Sequence, residues 1–430
     1  MREKATYHIA DIQSFKKKIL HWAGQFERSI CCVGESDQDN GRYMSYDMLV
    51  AVDAISELEI DTDCFDSLKH YYNDKKDWLF GYFSYDLKNE IETLSSENLD
   101  NLYFPLIYFF QPKWVFQIQK NEINIHYPEN ISRREMQGLF QEIIQTSIQP
   151  TISESVDVKQ RTSKQRYHRI FDALMSNINR GDIYEINYCQ EYYAQDVSIN
   201  PLQTFENLYD LSKAPFSVYF RLNDFYLMSA SPERFVKKEN LKLISQPIKG
   251  TRPRSSDATT DHRMKKELVN CQKEQSENVM IVDLVRNDLS KTAQKGSVKV
   301  EELFGIYSFK QVHQMISTIS SKLTKETHWV DVIRSIFPMG SMTGAPKIRA
   351  MELIEENEDF KRGLYSGSVG YVTPHQDFDF NVVIRSILYN AKQKYVSFAV
   401  GSAITSKANF EQEYQECETK AKAMLEVLNA

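Results

Sequence analysis

From about residue 165 onward, strand-like and helix-like runs follow one another in mixed order, and several strands succeed each other directly. That order constrains the fold more than any other feature. Strands joined by short turns pair antiparallel, because a parallel pair needs a long crossover. Residues 183–193 and 216–230 read as strands, the second broken by an Asn223-Asp224 turn. Residues 366–373, 378–388 and 394–404 read as three more. Tyr167, Ile170, Phe171, Leu174 and Ile178 fall at helical spacing, with Gly181 as the stop. A long charged helix is expected over about 262–289, shorter ones over 330–337 and 345–356, and an amphipathic one over 410–428. The expectation is an α+β fold with antiparallel sheets, not a doubly wound parallel sheet. Residues 1–150 mix strand-like runs, such as 78–85 and 106–116, with polar turns. The stretch 147–164 is polar and poor in large apolar residues, which places a boundary there.

Composition narrows the classes of function. The chain has 430 residues, 42% hydrophobic and 26% charged, a soluble globular balance. A net charge of −7 argues against nucleic acid or an anionic membrane as the main partner. An anionic substrate would then need a local positive site or a metal ion. The six cysteines show no C-x-x-C spacing and read as reduced thiols, so a cytoplasmic location is expected. Charges interrupt the first residues, and no signal peptide or membrane span is expected.

The segment Gln246-Pro247-Ile248-Lys249-Gly250-Thr251-Arg252-Pro253-Arg254 sets one lysine in a turn bracketed by proline and glycine. It reads either as a basic surface turn or as a reactive amine. A lysine is a strong nucleophile only when neutral, and Arg252 and Arg254 are expected to lower its pKa. Two E-x-x-E pairs, Glu274/Glu277 and Glu413/Glu416, stand on expected helices, each pair on one face. Each is either a solvated face or half of a site for a hard cation such as Mg²⁺. Lys420 shares a face with Glu416. The loop from Gly340 to Lys347, with Ser341, Thr343 and Pro346, is an ordinary helix start or an anion site. Arg385 interrupts an apolar run and needs a carboxylate partner, internal or from a ligand. His313 alone would count as packing. Glu233 becomes a candidate general acid if a hairpin brings it to the cleft of Lys249 and burial raises its pKa.

Taken in order, SASPERF, PIKGTRPR, SENVMIVDLVRNDL, FPMGSMTGAPKIRAMELIE, RGLYSGSVGY, FNVVIRSI and EYQECETKAKAML resemble the chorismate-utilising enzymes, the family of anthranilate synthase component I. The likeness covers about residue 165 to the C-terminus, and only GYFSYD extends it into the N-terminal third. It implies that family's fold, with large antiparallel sheets packed as a sandwich and flanked by helices. Residues 1–155 would be the N-terminal region packed on a catalytic domain of residues 156–430. Lys249, where anthranilate-forming members have alanine, is similar to members that form 4-amino-4-deoxychorismate for 4-aminobenzoate and folate. Isochorismate- and salicylate-forming members carry a lysine base near residues 183–188. Glu185 stands there instead, and it also departs from the glutamine common in amine-transferring members, which leaves its role open.

The resemblance further implies roles. Glu277 and Glu416 match Mg²⁺ ligands, with Glu274 and Glu413 as water-mediated partners. Arg385 matches a carboxylate-binding arginine. Thr251, Tyr365, Lys420, Ser341, Thr343 and the Gly401–Ala403 backbone match substrate contacts, and His313 a histidine near the departing hydroxyl. Lys249 would attack ring C2 of chorismate while Glu233 helps the C4 hydroxyl leave, and ammonia would then add at C4. No segment resembles a glutaminase, so ammonia is expected from a separate glutamine amidotransferase. Two alternatives stand: anthranilate formation, and a chorismate sensor without turnover. The Leu-Leu-Glu-Ser element of feedback-inhibited members is reduced to Cys31-Cys32-Val33-Gly34-Glu35-Ser36, so tryptophan inhibition is not expected.

Overall fold

The computed structural model describes residues 2–34, 43–148 and 155–429. Glu35 and Ser36 of the tryptophan-related element lie outside the described residues. Side chains alternate along the strands, and the alternation builds two layers. In Arg28–Val33, Ile30 enters one core and Cys31 the other. In Phe216–Leu222, Val218 and Phe220 enter the first core and Tyr219 the second. A period of two with both faces apolar means that both faces are covered.

One layer runs from Arg2–His8 through Glu122–Pro128 and the distal half of Ile107–Gln119 to Met48–Ile60. It continues through Arg28–Val33, Phe216–Leu222, Phe225–Ser231, Ser386–Asn390 and Tyr395–Thr405 to Glu185–Ala194. The other starts at the proximal half of Ile107–Gln119 and runs through Leu79–Phe83, Ser368–Val372, Phe378–Asn381 and Arg234–Glu239. Lys242–Gln246 and Val312–Lys322 follow, the latter flanked by Ile248–Pro253 and Lys299–Ser308. Every one of these pairings is antiparallel. The long pair Met48–Ile60 and Ile107–Gln119 belongs to both layers, and its register shifts between Ala54 and Ser56. Such a bulge lets a strand turn from one sheet into the next.

Leu49, Phe220, Leu227 and Ala399 meet Phe80, Val236, Leu243 and Phe380 between the layers. The outer face of the first layer, with Val50, Met228 and Val400, is covered by helices through Ile19, Phe171, Phe205 and Met424. Arg28–Val33 pairs with Phe216–Leu222, and Leu79–Phe83 pairs with Ser368–Val372. Hydrogen bonding therefore crosses the boundary expected near residue 155, and both segments share both layers. No helix among the described residues is long and apolar enough to cross a membrane.

Two expected elements are divided. The long charged helix is Ala258–Val269 and Gln272–Ser290, broken at Asn270, whose side-chain amide caps the Lys266 carbonyl at 3.0 Å. The expected strand over 378–388 is Phe378–Asn381 and Ser386–Asn390. Between them the chain passes from one layer to the other, with Arg385 at φ 52°. The link from Phe225–Ser231 to Arg234–Glu239 makes the same passage beside it, and Val382 N–H donates to Glu233 O at 3.0 Å. Two adjacent crossings leave the layers parted at one place.

Candidate active site

A cavity of about 370 Å³ opens at that place. This is the size of a small-molecule site. Lys249, Glu233, Thr251, Ser341, Tyr365, Arg385, Gly401, Ala403 and Lys420 line it, together with Glu274, Glu277, Glu413 and Glu416. A larger cavity of about 860 Å³ lies elsewhere, against Trp78, Tyr371 and His126. Its buried cations are engaged, Lys237 with Tyr43 O at 2.7 Å and Lys238 with Asp377 at 3.1 Å.

Lys249 stands on Ile248–Pro253, the strand that faces the helix Gln272–Ser290. Gly250 allows that approach. Its φ is 96°, and an added Cβ would come within 3.1 Å of the Glu274 carboxylate. Only glycine takes such a conformation without strain. The Lys249 amine donates to Glu185 Oε1 at 2.6 Å, and both side chains are buried. Burial alone would lower the lysine pKa, but Glu185, Glu277 and Glu416 outweigh it and hold the amine well above its ordinary value. The expected lowering by Arg252 and Arg254 is therefore corrected. Arg252 pairs with Glu274 at 3.1 Å and Arg254 with Asp261 at 2.8 Å, so each arginine is met by a carboxylate of its own.

Glu233 is buried at the crossing, and burial pushes its carboxyl up to about 7, against partial offsets from Ser341, Lys249 and Lys420. That value suits a proton donor at neutral pH. Ser341 Oγ is itself buried and makes no hydrogen bond of good geometry. Arg385 is half-buried. Nη1 donates to Lys420 O at 3.3 Å, and among the described residues it forms no ion pair with a carboxylate. Burial lowers its pKa, countered by Glu416. Tyr365 donates to Cys189 Sγ at 3.5 Å. Gly401 admits no side chain, because a Cβ would lie 2.5 Å from Asn187 Oδ1 and 2.5 Å from Cys189 Sγ. Its carbonyl accepts from Lys420 Nζ at 2.7 Å, and Lys420 also pairs with Glu416 at 2.5 Å.

The four helix glutamates face the same space from Gln272–Ser290 and Phe410–Leu428. Lys273 sits between them, 3.1 Å from Glu413 and 3.8 Å from Glu277. Glu277 Oε1 is buried without a hydrogen bond, and burial raises its carboxyl to about 7. An unsatisfied buried oxygen in an all-carboxylate set fits a hard divalent cation. As they stand, with Glu413 paired to Lys273 and Glu416 to Lys420, no group of three or more His, Cys, Asp or Glu among the described residues is arranged to hold a metal ion. The cavity wall carries five carboxyl groups (Glu233, Glu274, Glu277, Glu413, Glu416) and five cations (Lys249, Arg252, Lys273, Arg385, Lys420).

Two expected residues do not reach the cavity. His313 lies on Val312–Lys322 between Val312 and Gln314, both of which line the wall. Alternation sends His313 the other way, where its ring bonds to Ser308 Oγ at 2.8 Å and Asp261 Oδ1 at 3.0 Å. Thr343 is fully buried and turns into its own loop, donating to Met339 O and Gly340 O at 3.3 Å each. The helix start at Lys347 is also off the wall, with its amine held by Asp288 at 2.7 Å. Sequence reasoning missed Asn187, Lys273 and Gln314 on the wall. Lys273 adjoins Glu274, and its charge beside an acidic pair was the available signal.

Behind the wall, Arg362 and Glu358 form a buried bidentate pair at 2.6 and 2.8 Å. Arg362 also donates to Met342 O at 2.6 Å and Asn187 O at 2.9 Å, while Glu358 accepts from Cys189 N at 2.8 Å. The pair ties the loop of Ser341 to the strand of Glu185.

Residues 32–426 match the family described as chorismate binding enzyme. Aminodeoxychorismate synthase component 1 of Escherichia coli is 34% identical over 350 residues, covering 81% of this chain and 76% of that one. The Bacillus subtilis protein of the same name is 32% identical over 371 residues, covering 84% and 78%. The Salmonella typhimurium protein of that name is 40% identical over 262 residues, and the match spans 61% of this chain and 57% of that relative. Among solved structures, anthranilate synthase component I from Streptococcus pneumoniae superposes with a TM-score of 0.77 at 24% identity, covering 88% of this chain and 91% of that one. The menaquinone-specific isochorismate synthase of Escherichia coli gives 0.77 at 17% identity, covering 100% and 95%, and these two likenesses concern the fold alone. With most of its length matched and its motifs gathered at one cavity, the chain belongs to the chorismate-binding enzyme family.

Proposed function

We propose that the protein acts as an aminodeoxychorismate synthase component I, converting chorismate and ammonia to 4-amino-4-deoxychorismate. One observation carries the reading: a buried lysine and a buried carboxyl with a pKa of about 7 open on the same cavity. The names of the relatives support the choice of product. Lys249 bonds to ring C2, the ring double bonds shift, and the C4 hydroxyl leaves as water with the proton of Glu233. Ammonia then bonds at C4, and the C2–N bond breaks to release Lys249. Covalent capture divides one difficult displacement into two. Arg385 binds a substrate carboxylate as a bidentate donor. Ser341, Tyr365 and the Gly401–Ala403 backbone orient the ring.

Glu277 and Glu416, with Glu274 and Glu413 through water, would hold Mg²⁺. Bound there, the ion would offset the charge of a dianionic substrate, which a wall of five carboxyls and five cations does not. Ammonia comes from a separate glutamine amidotransferase, a reading supported by the component names of the relatives. Six free cysteines support a reducing, cytoplasmic setting.

The test is mass spectrometry of the product from chorismate, ammonium and Mg²⁺. A 4-amino-4-deoxychorismate peak is expected, and its loss by about 10³-fold in Lys249→Ala, in line with removal of a covalent nucleophile. Anthranilate as the product, or full activity in Lys249→Ala, overturns the reading.

A further inference from the structure

The ion pair between Glu185 and Lys249 is left without a task by the reaction above. It joins two strands, Glu185–Ala194 and Ile248–Pro253, across 64 residues of sequence. The contact is 2.6 Å, with side-chain exposures of 10% for Lys249 and 7% for Glu185. Lys249 lines the cavity and Glu185 does not, so the carboxylate stands off the wall, behind the amine. Among the described residues Lys249 is the only cation in ion-pair contact with Glu185. The neighbouring cations are engaged otherwise, Lys273 by Glu413, Lys420 by Glu416 and Arg252 by Glu274. Glu277 and Glu416 face the amine from the two helices, and Glu233 faces it from the layer crossing.

A charged amine cannot attack a carbon, so the lysine must lose a proton before it bonds to the ring. Only Glu185 touches that proton among the described residues. Moving it converts a buried ion pair into a neutral acid and amine, which relieves the desolvation of both charges. We infer that Glu185 is the catalytic base that takes the proton of Lys249 as its amine bonds to the ring, and returns it on release. The inference rests on the covalent-lysine reading above.

The proton balance is closed. In the first half an N–H bond of the ammonium breaks, its proton passes to Glu185 Oε1, and the freed pair forms the N–C2 bond. The double bonds shift, C4–O breaks, and Glu233 supplies the proton of the departing water. The adduct nitrogen is then a secondary ammonium. In the second half ammonia forms the C4–N bond, the double bonds shift back, and C2–N breaks with its pair returning to nitrogen. The neutral amine recovers its proton from Glu185, and the new C4 ammonium group yields one to Glu233. A glutamine at position 185 keeps the shape but carries out neither transfer.

The test uses the full chain with chorismate, ammonium and Mg²⁺. Glu185→Gln is expected to lower kcat by about 10²–10³-fold, the usual size of a general-base contribution, with KM for chorismate changed less than threefold. Glu185→Ala is expected to regain at least tenfold of its lost rate in formate, which places a small carboxylate in the vacated space. Lys249→Ala should gain nothing from formate. A merely structural carboxylate would lower thermal stability and raise KM, with no rescue by formate. A kcat for Glu185→Gln within threefold of wild type overturns the inference. Should Glu185→Ala fail to fold, the Glu185→Gln rate alone decides. Loss of activity in Lys249→Ala beside full activity in Glu185→Gln removes only the role of Glu185. Full activity in Lys249→Ala removes the covalent reading and this inference together.

Discussion

Replacing Arg362 by methionine tests what holds the cavity floor in place. Both members of the Arg362–Glu358 pair have side chains only 1% exposed, and the contact is bidentate. Methionine fills much of the volume but donates nothing. Glu358 would be left with the Cys189 N–H alone, and the carbonyls of Met342 and Asn187 would lose a donor. Removing one partner of a buried ion pair costs about 3–5 kcal/mol, so a loss of about 4 kcal/mol is expected at pH 8. With a urea m of about 3 kcal/mol/M, the unfolding midpoint should fall by about 1.3 M. The loss must also depend on pH. Burial already holds the Glu358 carboxyl above its ordinary value, and Arg362 is the main force opposing that rise. Without Arg362 the folded pKa climbs further while the unfolded pKa stays. A raised carboxyl pKa removes stability as pH rises from the unfolded value toward the folded one. The deficit should therefore be larger at pH 8 than at pH 6, and Glu358→Gln added to Arg362→Met should recover part of it. The assay is urea unfolding followed by circular dichroism at both pH values. A deficit below about 1 kcal/mol at pH 8, or one that does not change with pH, would refute the argument.

Other outcomes follow from the same cavity. Glu233 and Glu277 each titrate near 7 when folded against an ordinary 4.5, so both should reduce stability as pH rises from about 4.5 to 7. Mg²⁺ should consequently raise Tm more at pH 8 than at pH 6, where a proton competes for Glu277; an equal shift at both values would count against Glu277 as a ligand. Chelation by EDTA should abolish turnover, with activity restored by Mg²⁺, and turnover that persists in EDTA would remove the metal from the proposal. Gly401→Ala puts a Cβ 2.5 Å from Asn187 and Cys189, which should cost about 1–3 kcal/mol of stability and weaken chorismate binding. An unchanged Tm in that variant would show that the strand yields. Arg385→Leu should raise KM for chorismate about 10–100-fold through loss of a charge-assisted contact, measured by initial rates, and an unchanged KM would move the carboxylate elsewhere.

Much of the architecture was readable because its signals are local. The helix Lys164–Arg180 ends at Gly181, whose φ of 86° is the left-handed cap that the sequence suggested. The C-terminal helix Phe410–Leu428 carries Glu413, Glu416 and Lys420 on one side, as spacing of three and four requires. The break at 382–385 had no such signal. In NVVIRSIL the β-branched Val382, Val383, Ile384 and Ile387 favour one continuous strand, and only the presence of two layers makes the chain leave one and enter the other. His313 was legible as packing, but the face it takes was not. Alternation fixes that Val312 and Gln314 point together; which side meets the cavity depends on how Val312–Lys322 packs.

Chain order and residue type alone were enough to determine the family, the antiparallel character of the sheets, and which lysine and carboxylates to look for at one cavity. They were enough because motifs, turns and helical spacing are properties of neighbouring residues. The charge on Lys249 was decided by the tertiary structure. The arginines close to it in sequence are turned onto Glu274 and Asp261, whereas Glu185, 64 residues away, lies at 2.6 Å. Coulomb forces act through space and in proportion to burial, so proximity along the chain misjudged the sign of the shift.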